Sequence, residues 1–254
     1  MKKTIMITGA TSGIGRAAAR KFALNGYNVI ITGRRAERLS ELENELLSDG
    51  ARVLSMNFDV SIRTEVDKAI GEIPTGWKQI DILVNNAGLA SGLDHIDEGH
   101  IADWEAMIDT NLKGLLYITR QIAPLMVARG RGHIINISSI AGKEVYESGN
   151  VYCATKHAVD ALSKAMRIDL LRHGIKVTNI APGMALTEFS EVRFHGDTER
   201  ADSVYRGITP LTGEDIAEAI YYCATLPGHV CINDLVITPT QQADANHNTK
   251  MISK

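Results

Sequence analysis

The chain predicts an α/β protein, a parallel sheet with helices packed on both faces, built as a single domain. Short β-branched runs recur along the 254 residues and alternate with longer helical stretches, the pattern of βαβ units joined by right-handed crossovers. No Pro/Ser-rich linker, internal repeat or low-complexity block interrupts that alternation, and a hydrophobic content of 44% is enough for a sizeable core.

The first run, Thr4 to Thr8, breaks into Gly9-Ala-Thr11-Ser12-Gly13-Ile14-Gly15 before an Ala-rich helical stretch from Arg16 to Leu24. Glycines between a strand and a helix admit positive φ and let a pyrophosphate approach the unpaired N–H groups at the helix N-terminus. Isolated, the cluster would be an ordinary turn. In this context it predicts a dinucleotide site formed by Gly9, Thr11, Ser12, Gly13, Ile14 and Gly15.

The second strand, Asn28 to Thr32, ends in Gly33-Arg34-Arg35, about 20 residues beyond the glycine turn. An NAD site places an acid here for the ribose 2′-hydroxyl. This chain has Gly33 and then two guanidiniums able to fork onto a 2′-phosphate, which predicts NADP(H) held by Arg34 and Arg35. The alternative is that both arginines merely open the charged helix running through Glu37, Arg38, Glu41 and Glu45.

A third run, Arg52 to Phe58, is closed by Asp59-Val60, and a fourth, Ile82 to Val84, by Asn85-Asn86-Ala87-Gly88. Two long helices, Ile101 to Ala128 and Val151 to Arg172, carry the apolar positions Ile122, Leu125, Met126 and Leu162, Met166, Leu170 toward the sheet. The remaining strands are His133 to Ile137, Lys176 to Ile180 and Asp234 to Thr238, giving seven.

Tyr152 and Lys156 lie four residues apart, just over one turn, so a phenol and an ammonium share a helix face. A free tyrosine titrates near about 10. A lysine beside it would lower that by about 2 to 3 units and let the phenol both give and take a proton near neutrality. Such a pair alone is common on solvated helix faces; its weight comes from the company it keeps.

Thr8-Gly9-x-x-x-Gly13-x-Gly15, Asn85-Asn86-Ala87-Gly88, Ser139 and Tyr152-x-x-x-Lys156 together resemble the short-chain dehydrogenase/reductase family, in its order and spacing, from about Lys3 to Thr238. The resemblance implies a Rossmann-type, doubly wound seven-stranded parallel sheet of order 3-2-1-4-5-6-7. It implies a tetrad in which Tyr152 is the general acid/base, Lys156 lowers its pKa and holds the nicotinamide ribose, Ser139 hydrogen-bonds the substrate oxygen, and Asn111 positions a water behind the lysine. It further implies that Asp59 and Val60 line the adenine pocket, that Asn86, Ala87 and Gly88 lie beside the cofactor, and that Pro182, Gly183 and Thr187 meet the nicotinamide. Residues 1–240 would be the catalytic domain, with a substrate lid over about 184–207 and a polar tail over 241–254 that crosses to a neighbour or stays disordered.

The run Thr187-Glu-Phe-Ser190-Glu-Val-Arg193-Phe194 resembles one branch, the NADP-dependent 3-hydroxy acid dehydrogenases that act on serine, allo-threonine, 3-hydroxyisobutyrate or malonic semialdehyde. Arg193 suits a carboxylate clamp, because a guanidinium binds a carboxylate in bidentate fashion; the alternative is a surface arginine paired with Glu188 or Glu191. Lys143-Glu-Val-Tyr146-Glu147 departs from the branch by bringing charge to a loop that is usually apolar and small. The competing functions are a 3-oxoacyl carrier-protein reductase or broad carbonyl reductase and, more remotely, a non-catalytic NADP-sensing subunit.

A net charge of −3 without a basic stripe argues against nucleic acid or an anionic membrane as partner. Lys2-Lys3 is followed by too short an apolar run for a signal peptide, and Cys153, Cys223 and Cys231 read as reduced thiols, so a cytoplasmic enzyme is expected. The eight histidines include no His-x-x-x-His pair, so no metal site is expected. The family resemblance implies a homotetramer.

Overall fold

The computed structural model describes residues 2–250. Seven strands, β1 (Thr4–Ile7), β2 (Asn28–Gly33), β3 (Arg52–Asn57), β4 (Ile80–Asn85), β5 (Gly132–Ile137), β6 (Ile175–Pro182) and β7 (Asp234–Ile237), form one parallel sheet in the order 3-2-1-4-5-6-7. β1 and β2 are buried throughout, which is why they read as continuous apolar runs rather than alternating ones. Within them successive residues serve opposite cores: Ile5, Ile7, Val29 and Ile31 face one layer, Met6 and Ile30 the other.

The first layer holds α1 (Gly13–Leu24), α2 (Ala36–Ser48) and α9 (Gly213–Thr225), packed through Phe22, Leu42 and Ile220, all fully buried. The second holds α3 (Arg63–Gly71), α4 (Ile101–Ile108), α5 (Leu115–Val127) and α6 (Asn150–Leu170). Here Ile122 and Met126 are fully buried and Met166 nearly so, as the apolar spacing predicts. Two short helices, α7 (Phe189–Arg193) and α8 (Thr198–Ser203), form the segment between β6 and α9. The capping box of Thr212 and Asp215 starts α9 by satisfying two otherwise orphaned N–H groups.

The helix expected over Ile101 to Ala128 is not a single α-helix. Asp109–Gly114 is a π-helical turn between α4 and α5. The wider turn admits Gly114 against Val60, where an added Cβ would lie 2.8 Å from Val60 Cγ2. Up to residue 250 the polar tail lies along its own chain. Gln242 is buried, and Gln241 binds Gly207 and Thr209 while the Asn246 side chain donates to the Val145 carbonyl. Residues 251–254 of the tail lie outside the described residues.

His133 on β5 is 3% exposed, and burial first, then Lys176 and Lys3, hold its pKa down at about 3. Thr178 Oγ1 donates to the Ile232 carbonyl, so it accepts from His133 Nε2 at 2.8 Å and the ring is neutral with Nδ1 bare. The unfolded chain takes up this proton below about pH 6.5 and the folded chain does not until about 3, so stability is lost as pH falls through that window. His133→Gln is expected to remove about 2 kcal/mol of the acid-induced loss between pH 6.5 and 5. Urea unfolding at a series of pH values measures it; parallel curves for the two proteins would contradict the assignment.

Candidate active site

The C-terminal ends of β1, β4, β5 and β6 open onto a cleft of about 690 Å³ that runs from Arg34 and Arg35 past the glycine turn to Tyr152 and Arg193. The turn is shaped by its glycines. Gly9 and Gly13 have φ of +66° and +49°, and a Cβ on Gly15 would sit 2.3 Å from the Gly9 carbonyl oxygen. Gly15 does not line the cleft; its role is to let α1 approach the strand. Ser12, the residue before α1, makes no side-chain capping bond, so the first helical N–H groups remain for a ligand. These features fit a dinucleotide, whose pyrophosphate would take Thr11, Ser12, Gly13 and Ile14.

At the far end of β2, Arg34 and Arg35 both line the cleft and are not simply a charged helix start. Arg34 is mostly exposed and pairs with Asp59 at 3.3 Å. Burial opposes the charge on Asp59, but hydrogen bonds from Ser61 and the Arg34 guanidinium hold its carboxyl below the ordinary value. Arg35 donates to Thr11 Oγ1 at 3.0 Å and to Glu188 at 2.8 Å, and Arg38 grips the other Glu188 oxygen. The sequence pointed to neither Glu188 nor Arg38 as part of this site; the contacts span 153 and 150 residues. Val60, Ala87, Gly88, Pro182, Gly183 and Thr187 continue the wall toward Tyr152. Asn86 ties β4 to the glycine turn by donating to the Thr8 and Gly9 carbonyls at 2.9 and 3.1 Å. Thr187 lies over the turn, within 3.0 Å of where a Gly13 Cβ would be. Gln242 reaches in from the tail to accept from the Met184 amide at 2.8 Å, in space left by Gly183.

Ser139, Tyr152 and Lys156 meet at the inner end. Ser139 Oγ is fixed by the Ala141 amide at 3.1 Å. The expected tuning of Tyr152 by Lys156 is not what the geometry gives. Lys156 Nζ is turned to the Ile137 carbonyl at 3.0 Å and lies 5.8 Å from the centre of the Tyr152 ring. Burial dominates both groups: it pushes the Tyr152 phenol up and brings the Lys156 ammonium down to about 8. The cation that acts against burial on Tyr152 is Arg193, assisted by the Ser139 hydroxyl.

Asn111 sits behind the cleft rather than in its wall. The π-helical turn aims its amide at the loop after β4: Oδ1 accepts from Leu89 N at 2.8 Å, while Nδ2 donates to the Leu89 carbonyl at 2.8 Å and to Thr155 Oγ1 at 3.1 Å. Its expected water-positioning role therefore has only one lone pair of Oδ1 to work with. Asn111 Oδ1 and Lys156 Nζ are nonetheless neighbours, 3.2 and 3.4 Å from the point where a Gly88 Cβ would lie.

Arg193 is not a surface arginine paired with Glu188 or Glu191. Its Nη2 donates to Tyr146 Oη at 2.7 Å, and its Cζ lies 4.9 Å from the Tyr152 ring centre and 5.3 Å from that of Phe189. Its Nε is buried with no partner. The charge expected in the neighbouring loop is largely turned away: Lys143 binds Asp160 and Asp234, Glu147 pairs with His95, and only Tyr146 faces inward.

A parallel sheet with this strand order, a glycine-lined cleft and a serine, tyrosine and lysine at its end define an NAD(P)-type oxidoreductase class. The model of the short chain dehydrogenases matches residues 3–197, and the chain belongs to that family. It is 50% identical over 242 residues to an NADP-dependent 3-hydroxy acid dehydrogenase of Salmonella typhi, covering 95% of this chain and 96% of that one. It is 47% identical over 244 residues to sulfoacetaldehyde reductase 2 of Chromohalobacter salexigens, covering 96% of each. A closed form of serine dehydrogenase complexed with NADP+ superposes with a TM-score of 0.91 at 46% identity, covering 98% of this chain and all of that one.

Proposed function

We propose that the protein is an NADP-dependent dehydrogenase of small 3-hydroxy acids, with serine, allo-threonine, 3-hydroxyisobutyrate and the malonic semialdehyde couple as its substrate class. The observation that carries this reading is Arg193: a guanidinium lying over the ring of the acid/base candidate, with one N–H buried and unpartnered, asks for an anion close to the reacting carbon. An anion, one methylene and a carbonyl carbon is the spacing of a 3-oxo acid, and sulfoacetaldehyde has the same spacing.

NADP(H), when bound, would supply or take up the hydride. Arg34 and Arg35 would receive its 2′-phosphate, the glycine turn its pyrophosphate, and Lys156 its ribose. In reduction, Tyr152 gives its proton to the oxygen on which charge develops, and Ser139 donates to the same oxygen. Asn111 acts as a positioning residue that holds the loop after β4 against α6. Phe189, Val192 and Tyr205, carried by the segment after β6, keep water from the reacting centre.

The exposed apolar residues Ile168 and Leu171, at the end of α6, support a homotetramer, and three free cysteines support a reducing, cytoplasmic setting. Among the described residues no helix is long and apolar enough to cross a membrane.

A spectrophotometric screen of L- and D-serine, allo-threonine, 3-hydroxyisobutyrate and 3-hydroxypropionate with NADP and NAD tests the proposal. Turnover of at least one acid with NADP preferred is expected. A preference for NAD, or activity confined to uncharged alcohols, would overturn it.

A further inference from the structure

Tyr146 is a half-buried phenol that neither reacts nor binds the cofactor in the scheme above. Its ring lies flat on Gly149, where any Cβ would come within 2.4 Å of Tyr146 Cε2, and the turn is closed by the Gly149 amide donating to the Tyr146 carbonyl at 3.0 Å. Ser148, between them, takes a φ of +61°, a conformation an L-residue adopts only under local constraint. The segment is thus shaped to lay one aromatic ring into the cleft wall.

The Tyr146 hydroxyl accepts from Arg193 Nη2 at 2.7 Å. The Arg193 backbone is held from the other side, where the Gly92 amide donates to its carbonyl at 2.9 Å. Between these anchors the guanidinium stacks among Tyr152, Phe189 and Tyr146, with its carbon 4.9, 5.3 and 5.8 Å from the three ring centres. A free arginine side chain has many rotamers, and a short substrate cannot select one for itself. Here the selection is made by the protein, and the unpartnered Nε–H is left for the ligand.

We infer that Tyr146 is a positioning residue for substrate choice: by fixing the Arg193 guanidinium over the Tyr152 ring it sets a short distance between the anion of the substrate and its reacting carbon. This rests on the reading of Arg193 as the anion clamp. The class it selects carries the anion one methylene away from the carbinol or carbonyl carbon; an acid with a longer spacer cannot fill both positions, and an uncharged alcohol gains nothing from the clamp.

The test uses the full-length enzyme with NADP, 3-hydroxypropionate and its uncharged counterpart propane-1,3-diol. Tyr146→Phe keeps the ring and removes the hydroxyl. It is expected to lower the kcat/KM ratio of acid over diol about tenfold, through the KM of the acid, as loss of a hydrogen bond to a charged group implies. Arg193→Met should abolish the discrimination, and adding Tyr146→Phe to Arg193→Met should then change nothing further, because the hydroxyl has lost the group it positions. If Tyr146→Phe affects acid and diol equally, or lowers the ratio as much without Arg193 as with it, the inference is overturned. If Arg193→Met leaves the discrimination intact, the clamp itself is wrong, an outcome distinct from failure of Tyr146 alone.

Discussion

Tyr152→Phe lowers kcat by about 10²- to 10⁴-fold while NADPH binds within a few-fold of the parent affinity. The substitution removes one oxygen and leaves the ring that packs against Phe189 with centres 5.4 Å apart and lies under the Arg193 guanidinium. Cleft shape is therefore retained and the loss falls on proton transfer. Burial keeps this phenol protonated through neutral pH, so the free enzyme is ready for reduction, whereas oxidation must first form the phenolate. The oxidation rate should accordingly go on rising with pH beyond the neutral range, and the mutant should lose that rise. Stopped-flow NADPH fluorescence and steady-state rates give the two quantities; turnover within a few-fold of the parent would remove Tyr152 from the chemistry.

The second large effect is one of opposite signs. Lys156 is 6% exposed and donates only to the Ile137 carbonyl, and burial lowers its pKa to about 8 from the ordinary 10.5. A depressed lysine pKa means that the folded state disfavours the charged form. The cost is complete below about pH 8, shrinks as pH rises from there, and is gone above about 10.5; at neutrality it is roughly 3 kcal/mol. Lys156→Met removes it. The variant is expected to be inactive yet to melt several degrees higher at pH 7, at about 2–4 °C per kcal/mol for a chain of this size. The gain should vanish near pH 10.5. Calorimetry at pH 7 and 10 decides the matter, and a lower melting temperature at pH 7 would show that the ammonium is already well satisfied in the free enzyme.

The strands, the helix layers and the glycine turn were legible because each rests on a local signal, β-branched runs buried on both faces, positive φ at Gly9 and Gly13, and alternate strand residues serving two cores, whereas the strand order followed from the family resemblance. What sequence could not give depends on contacts between distant segments. Tyr146 finds Arg193 across 47 residues. Glu188 reads as a surface acid until the fold places it against Arg35 and Arg38. The π-helical turn at Asp109–Gly114 contains no proline to betray it, and its apolar spacing differs little from that of an α-helix. Gln242 looked solvated because it lies in a polar tail; it is buried because Gly183 leaves room for its amide. Four residues of spacing bring Tyr152 and Lys156 to one helix face but do not fix where the ammonium points, and here it meets the Ile137 carbonyl.

The carboxylate of Glu188 pairs with two guanidiniums on the β2 side of the cleft, Arg35 just beyond the strand and Arg38 in the first turn of α2. One short helix thereby joins the two ends of the cleft: α7 is tethered to the arginines after β2 by Glu188 at its start and carries Arg193 at its end.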